Sequence, residues 1–278
     1  MGSEGGPIES RDAHAPGTRP GASADTRARG NPFGLGEALV GIAAGFLLSL
    51  VGVSVYASLR RGPHVATGYG AEILSLVLLW VGFVGAVIAA SRLHGPAGKA
   101  GLEPQLAGSG SVRRDFGLSI RPLVDLPLGI AVGVASQLVL VPILELPLRP
   151  FVRNLSQQLD HPTHQLFGGV GGAGLVVLSL LVCVGSPVVE ELFFRGLWLR
   201  ALLGRLAPLG GRRGPAVAIV VTALVFSAVH FEELEFIGLA GFGVVLGYLA
   251  WRTGRLGPGM VAHMSFNAVT VIYYALHH

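Results

Sequence analysis

Long apolar segments alternate along the chain with short polar or basic connections. From residue 38 onwards, the apolar segments are rich in Leu, Val, Ala, Ile, Phe and Gly and contain few charges. About 20 such residues in a helix cross the roughly 30 Å hydrocarbon core of a bilayer, so each segment is interpreted as a membrane span. The pattern predicts seven transmembrane helices, at residues 38–59, 73–90, 123–144, 174–203, 216–230, 236–251 and 260–276.

Prolines inside two of these spans affect the count. Pro127 and Pro142 lie in the third span and predict a kinked or frayed helix. Pro187 lies in the fourth span, and a break there would divide that span into two half-helices. The predicted fold is therefore an all-α, polytopic membrane helix bundle of about seven or eight transmembrane helices.

The same pattern divides the chain into three parts. Residues 1–33 are polar and rich in Gly, Ser, Pro and Ala, a composition typical of a disordered cytoplasmic tail. Residues 34–122 hold the first two spans and a long cytoplasmic loop. Residues 123–278 hold the remaining spans and the candidate chemistry described below.

Composition and charge agree with a membrane location. Of the 278 residues, 51% are hydrophobic and 13% are charged, whereas soluble domains carry roughly 25% charged residues. The net charge is +4, and most basic residues are arginines that flank the spans, so they indicate orientation rather than nucleic-acid binding. They are concentrated before the first span and after the second, fourth and sixth. We therefore expect a multi-pass protein of the plasma membrane, with its N-terminus in the cytoplasm.

Two adjacent carboxylates lie inside the apolar fourth span. A charged side chain near the middle of a transmembrane helix costs roughly 2.5–3.5 kcal/mol, so Glu190 and Glu191 indicate a functional site. Arg195 follows Glu191 by four residues, a spacing that puts both side chains on one helix face as an ion pair. Glu190 is rotated away by about 100° and lacks that partner. An unpaired carboxylate in this environment is a candidate general base.

Polar groups also mark two later spans. His230 ends the fifth span, and His263 and Asn267 share one face of the last span because they are four residues apart. Such side chains can donate hydrogen bonds to a developing oxyanion. They can equally join helices through buried hydrogen bonds, and so can the two glutamates.

Three motifs carry a family resemblance. They resemble, in family order, the motifs of the CAAX protease and bacteriocin-processing (CPBP) family of intramembrane proteases. They are Glu190-Glu191-x-x-x-Arg195, Phe226-x-x-x-His230 and His263-x-x-x-Asn267. The resemblance runs from about Gly172 to the C-terminus, so residues 123–278 would form a CPBP-like catalytic core.

The resemblance implies a glutamic-type endopeptidase with no metal and no cofactor. Glu190 would be the general base that activates water, with His230 helping to position it. His263 and Asn267 would bind the oxyanion, while Glu191 and Arg195 would organise the site. Phe231-Glu232-Glu233 follows His230 where the eukaryotic prenyl-protein branch tends to carry histidines, so the resemblance favours the bacterial branch. The expected partners are the lipid bilayer and a membrane-associated peptide or protein substrate.

Three other functions are open at this point. A zinc protease would use His230, His263 and a glutamate, although the chain has no HExxH motif and a single cysteine, Cys183. A non-proteolytic scaffold or bacteriocin-immunity protein would retain the protease fold. A proton-coupled transporter would use the same carboxylates, but an internal repeat is not apparent. The oligomeric state is not predicted, since Gly-x-x-x-Gly pairs permit close helix packing within or between chains.

Depth in the membrane presents a difficulty for a single site. Counting 1.5 Å per residue from the cytoplasmic ends of the spans, Glu190 and His230 lie about 20 Å deep. His263 lies about 6 Å deep by the same count. The site would close if the helices tilt, or if residues 254–259 enter the membrane as a re-entrant loop.

Overall fold

The computed structural model describes Gly2 and residues 34–60, 69–94 and 109–277. Apart from Gly2, the predicted tail at residues 1–33 lies outside the described residues. The described part of the chain folds as helices without strands. The helices are α1 (Leu35–Arg60), α2 (Tyr69–Leu93), α3 (Val112–Asp115), α4 (Pro122–Leu148), α5 (Leu155–Phe167), α6 (Ala173–Arg205), α7 (Arg213–Ala228), α8 (Phe236–Thr253) and α9 (Gly257–His277).

Six of these helices are long and apolar enough to cross a membrane, namely α1, α2, α4, α6, α8 and α9. The remaining predicted span, the fifth at residues 216–230, corresponds to α7, which is apolar but has 16 residues. Large apolar side chains remain exposed on the outer faces of the bundle, as on α1, where Leu47 is 61% exposed and Leu50 is 67% exposed. A bilayer accounts for such surfaces, and the prediction of an all-α polytopic bundle is confirmed.

The alternative of a break at Pro187 does not occur, because α6 runs unbroken for 33 residues. A proline lacks the N–H that would bond the carbonyl four residues earlier, and its ring crowds that carbonyl. In α6 this carbonyl belongs to Cys183, which lies in a π-helical turn at Leu181–Gly185. In α4 the equivalent carbonyl of Pro142 belongs to Leu138, within a π-helical turn at Ser136–Leu140. The wider turns let both helices continue past their prolines.

Glycines bring the helices into close contact within the chain. Gly41 and Gly45 of α1 face Gly82 of α2, where an added Cβ would overlap the backbone of Gly45. Gly129 and Gly133 of α4 pack in the same way against the first half of α9. Both Gly-x-x-x-Gly pairs therefore join helices of one chain.

The core lies around α6. Phe193 stacks on Phe83 of α2 with 4.2 Å between ring centroids, and Phe194 meets Phe226 of α7 edge to face at 5.3 Å. Met260 of α9 belongs to the same buried cluster. Because three other helices pack on this part of α6, its polar residues face the interior of the bundle.

The connection from α8 to α9 is a tight turn of residues 254–256. Gly254 ends α8 in the left-handed region (φ 68°), and α9 begins at Gly257. The N–H groups of Leu256 and Gly257 donate to the carbonyls of Gly117 and Ser119. Residues 117–119 thereby cover the start of α9, which explains how His263 can lie inside the protein so close to the helix N-terminus.

Helix α5 was not expected from the apolar spans. Its residues Leu155, Leu159 and Leu166 follow an i, i+4, i+11 spacing that marks one apolar face, so the signal was present but shorter than a span. Asn154 precedes the helix with a left-handed φ of 53°. Helix α5 closes one side of the cavity described next.

Candidate active site

Glu191 and Arg195 form a fully buried salt bridge in the middle of α6. Arg195 Nη1 donates to Glu191 Oε1 at 2.9 Å, and neither side chain is exposed. Arg195 Nη2 donates to the carbonyl of Gly243 in α8 at 3.3 Å, and its guanidinium lies 4.3 Å from the ring centroid of Phe226. The i, i+4 pairing expected from the sequence is confirmed. The salt bridge compensates two buried charges, and the Arg195 guanidinium also links α6 to α7 and α8.

Glu190 faces away from that salt bridge and towards a cavity. Its side chain is 15% exposed, and its Oε2 atom is buried without a hydrogen-bond partner among the described residues. His263 Nε2 lies 3.9 Å from this oxygen. That separation exceeds a direct hydrogen bond and leaves the oxygen available to a water molecule or substrate.

His263 lies between the two glutamates. Its Nδ1 is 3.2 Å from Glu191 Oε1, and its Nε2 faces Glu190. An ionised carboxylate only accepts hydrogen bonds, so the proton lies on Nδ1. The ring is fixed edge to face by Phe226 and Phe242, at centroid distances of 5.7 and 5.5 Å. His263 is therefore held rigidly, with Nε2 directed at the cavity side of Glu190.

His230 is oriented by the end of α7. Its Nδ1 is 2.7 Å from the carbonyl oxygen of Phe226, which can only accept, so Nδ1 carries the proton and Nε2 is left as an acceptor. Phe231 follows with a left-handed φ of 58°, a strained conformation for a residue other than glycine. Phe226 thus contacts His230, Arg195 and His263, which gives a physical reason for an aromatic residue in the Phe226-x-x-x-His230 motif.

Asn267 joins α9 to the π-helical turn of α6. Its Nδ2 donates to the carbonyl of Val182 at 2.8 Å. In a regular α-helix this carbonyl would accept a backbone hydrogen bond. The π-helical turn leaves it without that bond, and Asn267 donates to it instead. One N–H of the amide is used in this contact, and no further hydrogen bond of this side chain occurs within the described residues, so its second N–H and its oxygen can bind a ligand.

A single cavity of about 480 Å³ brings four of the predicted residues together. We call it the site cavity, and it is lined by Glu190, His230, His263 and Asn267. Glu191 and Arg195 lie behind its wall. Its walls come from α1, α2, α5, α6, the α7–α8 connection, α8 and α9, and they are partly apolar.

Two residues of α2 were missed by the sequence reasoning. Glu72 and Ser75 line the site cavity opposite the motif residues, and Ser75 also hydrogen-bonds Ser49 of α1 at 2.6 Å. Glu72 follows the start of α2 by three residues, where an acidic residue also suits a helix N-terminus. Because this preference already accounts for a glutamate at that position, nothing in the sequence indicated that Glu72 lies beside the cavity.

The described residues contain no group of three or more His, Cys, Asp and Glu side chains that could hold a metal ion. The imidazoles of His230 and His263 are each engaged through Nδ1 with an oxygen acceptor. The arrangement can bind a water molecule between carboxylate and imidazole groups, polarise it, and offer side-chain N–H donors to a neighbouring oxygen.

Comparison with known proteins supports the resemblance drawn from the motifs. A family model described as Rce1-like, type II CAAX prenyl endopeptidase, matches residues 172–269. The matched segment begins just before α6 and ends within α9, so it contains all three motifs. Searches of curated proteins and of solved structures gave no match. Over this segment, the chain is similar to the CAAX prenyl endopeptidases, a family of peptidases, as its motifs predict.

Proposed function

We propose that the protein is an intramembrane endopeptidase that hydrolyses a peptide bond of a membrane-associated protein or peptide with water activated by Glu190. The observation that carries this proposal is the unpaired, buried Oε2 of Glu190 in a cavity shared with His230, His263 and Asn267. The match to a peptidase family over residues 172–269 supports the reaction class.

In the proposed reaction, a water molecule donates one hydrogen bond to Glu190 and a second hydrogen bond to Nε2 of His230. As the water oxygen attacks the carbonyl carbon, Glu190 takes the first proton, and the resulting oxyanion is bound by His263 and Asn267. Glu190 then passes the proton to the leaving nitrogen, so the products are a carboxylic acid and an amine.

The role proposed for His263 sets a condition on its protonation. Since Nδ1 is engaged with Glu191, Nε2 donates to an oxyanion only when the ring carries both protons. Glu190 and Glu191 lie on either side of the ring, with carboxylate oxygens 3.9 Å from Nε2 and 3.2 Å from Nδ1. In this proposal, Glu191 and Arg195 act as positioning residues: Arg195 holds Glu191, and Glu191 holds His263.

The test is cleavage of a fluorogenic peptide and membrane-protein panel by purified wild type and Glu190→Gln, each with and without a chelator. We expect chelator-resistant cleavage by the wild type and a loss of about 10²–10⁴-fold in the variant. Glu233→Gln is the matched control, because Glu233 is an exposed acidic residue of the α7–α8 connection that does not line the site cavity.

Three outcomes would contradict the proposal. Cleavage abolished by chelator and restored by zinc would favour the metalloprotease. Full activity in Glu190→Gln would exclude Glu190 as the base. A well-folded wild type that cleaves none of the panel would favour a scaffold or immunity protein. Melting curves in detergent establish that each variant is folded before its activity is compared.

A further inference from the structure

A second cavity adjoins the site cavity. It has a volume of about 570 Å³ and is bounded by the end of α4, by α5, by the α7–α8 connection and by α9. Five residues line both cavities, namely Thr163, Glu235, Leu239, Phe266 and Thr270. The two cavities therefore adjoin at these five residues.

Carboxylates from three elements line this second space, which we call the acidic cavity. They are Glu145 of α4, Asp160 of α5 and Glu235 directly before α8. Arg149 also lines the cavity, but within the described residues it makes no salt bridge with any of the three. The acidic cavity therefore has an excess of negative charge.

Two of its polar groups also lack partners among the residues that the structure describes. Glu145 is 9% exposed and lies against Gly238, and no hydrogen bond or ion pair to it occurs among the residues that the structure describes. The Oε1 atom of Gln137, on α4 as well, is buried without a partner from those residues. Burying a carboxylate and an amide oxygen without donors is costly, so both are set to accept hydrogen bonds from a ligand.

The electrostatics of Glu235 also favour a bound positive charge in this cavity. Burial, together with the negative charges of Glu232, Glu145 and Asp160, raises the pKa of Glu235 to about 7. These interactions disfavour the ionised form while the cavity holds no added cation. A positively charged group bound there would relieve the repulsion.

The chemistry of the cavity favours an organic cation over a metal ion. No three of its acidic side chains form a group that could hold a metal, within the described chain. A guanidinium carries five N–H donors in a planar fork, and an ammonium carries three, so either can reach several separated acceptors at once.

From these observations we infer that the acidic cavity binds a lysine or arginine side chain of the substrate and so determines specificity. This inference rests on the proposed function. Along α9, His263 and Thr270 are seven residues apart, or about 10 Å. An extended peptide advances about 3.3 Å per residue, so the basic residue lies about three positions from the scissile bond.

Paired peptides test this inference. Each pair carries arginine or its neutral isostere citrulline at one position, two to four residues on either side of the cleaved bond, and kcat/KM is compared within the pair. We expect the wild type to prefer arginine at one position by about 10- to 100-fold, as charged hydrogen bonds provide. In the double variant Glu145→Gln/Glu235→Gln the ratio should fall to about one, whereas Glu233→Gln keeps the wild-type ratio.

The preference should also depend on pH. Because the pKa of Glu235 is raised to about 7, its carboxylate becomes charged as the pH rises through that value. The arginine-to-citrulline ratio should therefore increase between about pH 6 and pH 8. Glu145, Asp160, Glu232 and Arg149 are the other charged groups facing this position, and the double variant removes the dependence on Glu235.

A binding measurement separates this inference from the proposed function. Glu235 is labelled with a hydrophobic carbodiimide in the presence of butylguanidinium or neutral butylurea, and modification is followed by mass spectrometry. Protection by butylguanidinium but not butylurea supports the cation site, with labelling of Glu233 as the internal control. Protection without cleavage of any peptide would overturn the peptidase and the substrate assignment. Cleavage with neither preference nor protection would overturn the cation site alone.

Discussion

At the scale of single residues, the salt bridge between Arg195 and Glu191 is the contact on which the site depends most. Both side chains are fully buried, so removing one charge leaves the other uncompensated. We expect Arg195→Met to lose about 3–5 kcal/mol of unfolding free energy. Chemical unfolding in detergent measures this loss.

A double-mutant comparison distinguishes that cost from the loss of packing. Glu191→Gln/Arg195→Met removes both charges, so it should be more stable than Arg195→Met alone. A double variant that is less stable than Arg195→Met would show that lost packing, rather than an uncompensated charge, causes most of the loss of unfolding free energy. Glu191→Gln alone also weakens the acceptor of His263 Nδ1, and we expect it to lower kcat more than it changes KM.

Glu235 predicts a pH-dependent stability. Its pKa rises from 4.5 to about 7 on folding because of burial and then of neighbouring carboxylates. Between these values the unfolded chain releases its proton while the folded protein keeps it, so stability is lost as the pH rises from 4.5 to 7. Glu235→Gln should therefore raise the melting temperature at pH 8 and leave it nearly unchanged at pH 4.

The control for Glu235 is Glu233→Gln, which changes an exposed carboxylate of the same connection. Equal effects of the two substitutions would show that the general negative charge of this segment, rather than the burial of Glu235, causes the effect. A stability cost at this position is what a binding site for a cation entails, because the favourable partner is supplied by the ligand.

The residues of the candidate site could be read from the sequence because charge is rare in apolar segments. Glu190, Glu191 and Arg195 stand out for that reason, and helical spacing predicts the Glu191–Arg195 salt bridge. The contact of His263 with Glu191 could not be predicted, since it depends on how α9 packs against α6. Glu235 lies directly before a helix N-terminus, where acidic residues are common, and Glu145 lies near the C-terminal end of α4. Their shared cavity therefore appears only in three dimensions.

At the scale of helices, Gly133 controls how closely α4 approaches α9. A Cβ at this position would overlap the carbonyl oxygen of Ala262 and lie 2.9 Å from the Cβ of Ser265. We expect Gly133→Ala to cost about 1–3 kcal/mol and to reduce activity, because residue 262 precedes His263. Thermal unfolding and peptide cleavage measure the two effects.

Gly85 provides the matched control on α2. A Cβ there meets no described atom within 4 Å, so Gly85→Ala should be neutral or add about 0.5–1 kcal/mol through its better helix propensity. If Gly133→Ala behaves like Gly85→Ala, the helices have room to separate and the close packing is not required for the site.

The helices themselves were largely predictable, and their irregularities were not. Apolar length locates the six long helices, since burial in lipid requires about 20 apolar residues. The continuity of α6 through Pro187 depends on a π-helical turn, and hydropathy contains no signal for the register of backbone hydrogen bonds. Helix α5 was missed because its apolar face is shorter than a span.

At the scale of the whole molecule, α7 decides how many times the chain crosses the membrane. Its 16 residues extend about 24 Å, which is less than the roughly 30 Å hydrocarbon core. It nevertheless packs antiparallel along α8, because Gly243 faces Ala223 and Gly247 faces Ile219. Since α8 is long and apolar enough to cross the membrane, α7 beside it occupies the same layer.

This packing leads to a topology with seven crossings, which single cysteines can test. In a Cys183→Ala background, Phe151→Cys, Leu209→Cys and Phe231→Cys each introduce a thiol at an exposed position, with native exposures of 86%, 52% and 74%. The arginine distribution places Leu209 in the cytoplasm and the other two outside. An impermeant maleimide should therefore label Phe151→Cys and Phe231→Cys in right-side-out vesicles, and Leu209→Cys in inside-out vesicles.

The pattern of labelling separates the alternatives. If Leu209→Cys and Phe231→Cys are labelled from the same side, α7 does not cross the membrane, and the orientation of α8 and α9 is reversed. If all three sites exchange sides, seven crossings stand but the N-terminus is outside. With the predicted pattern, the acidic cavity, which is lined by Glu235 and α5, lies on the outer side of Glu190. The basic residue of the substrate would then lie towards the outer side of the membrane from the bond that is cleaved.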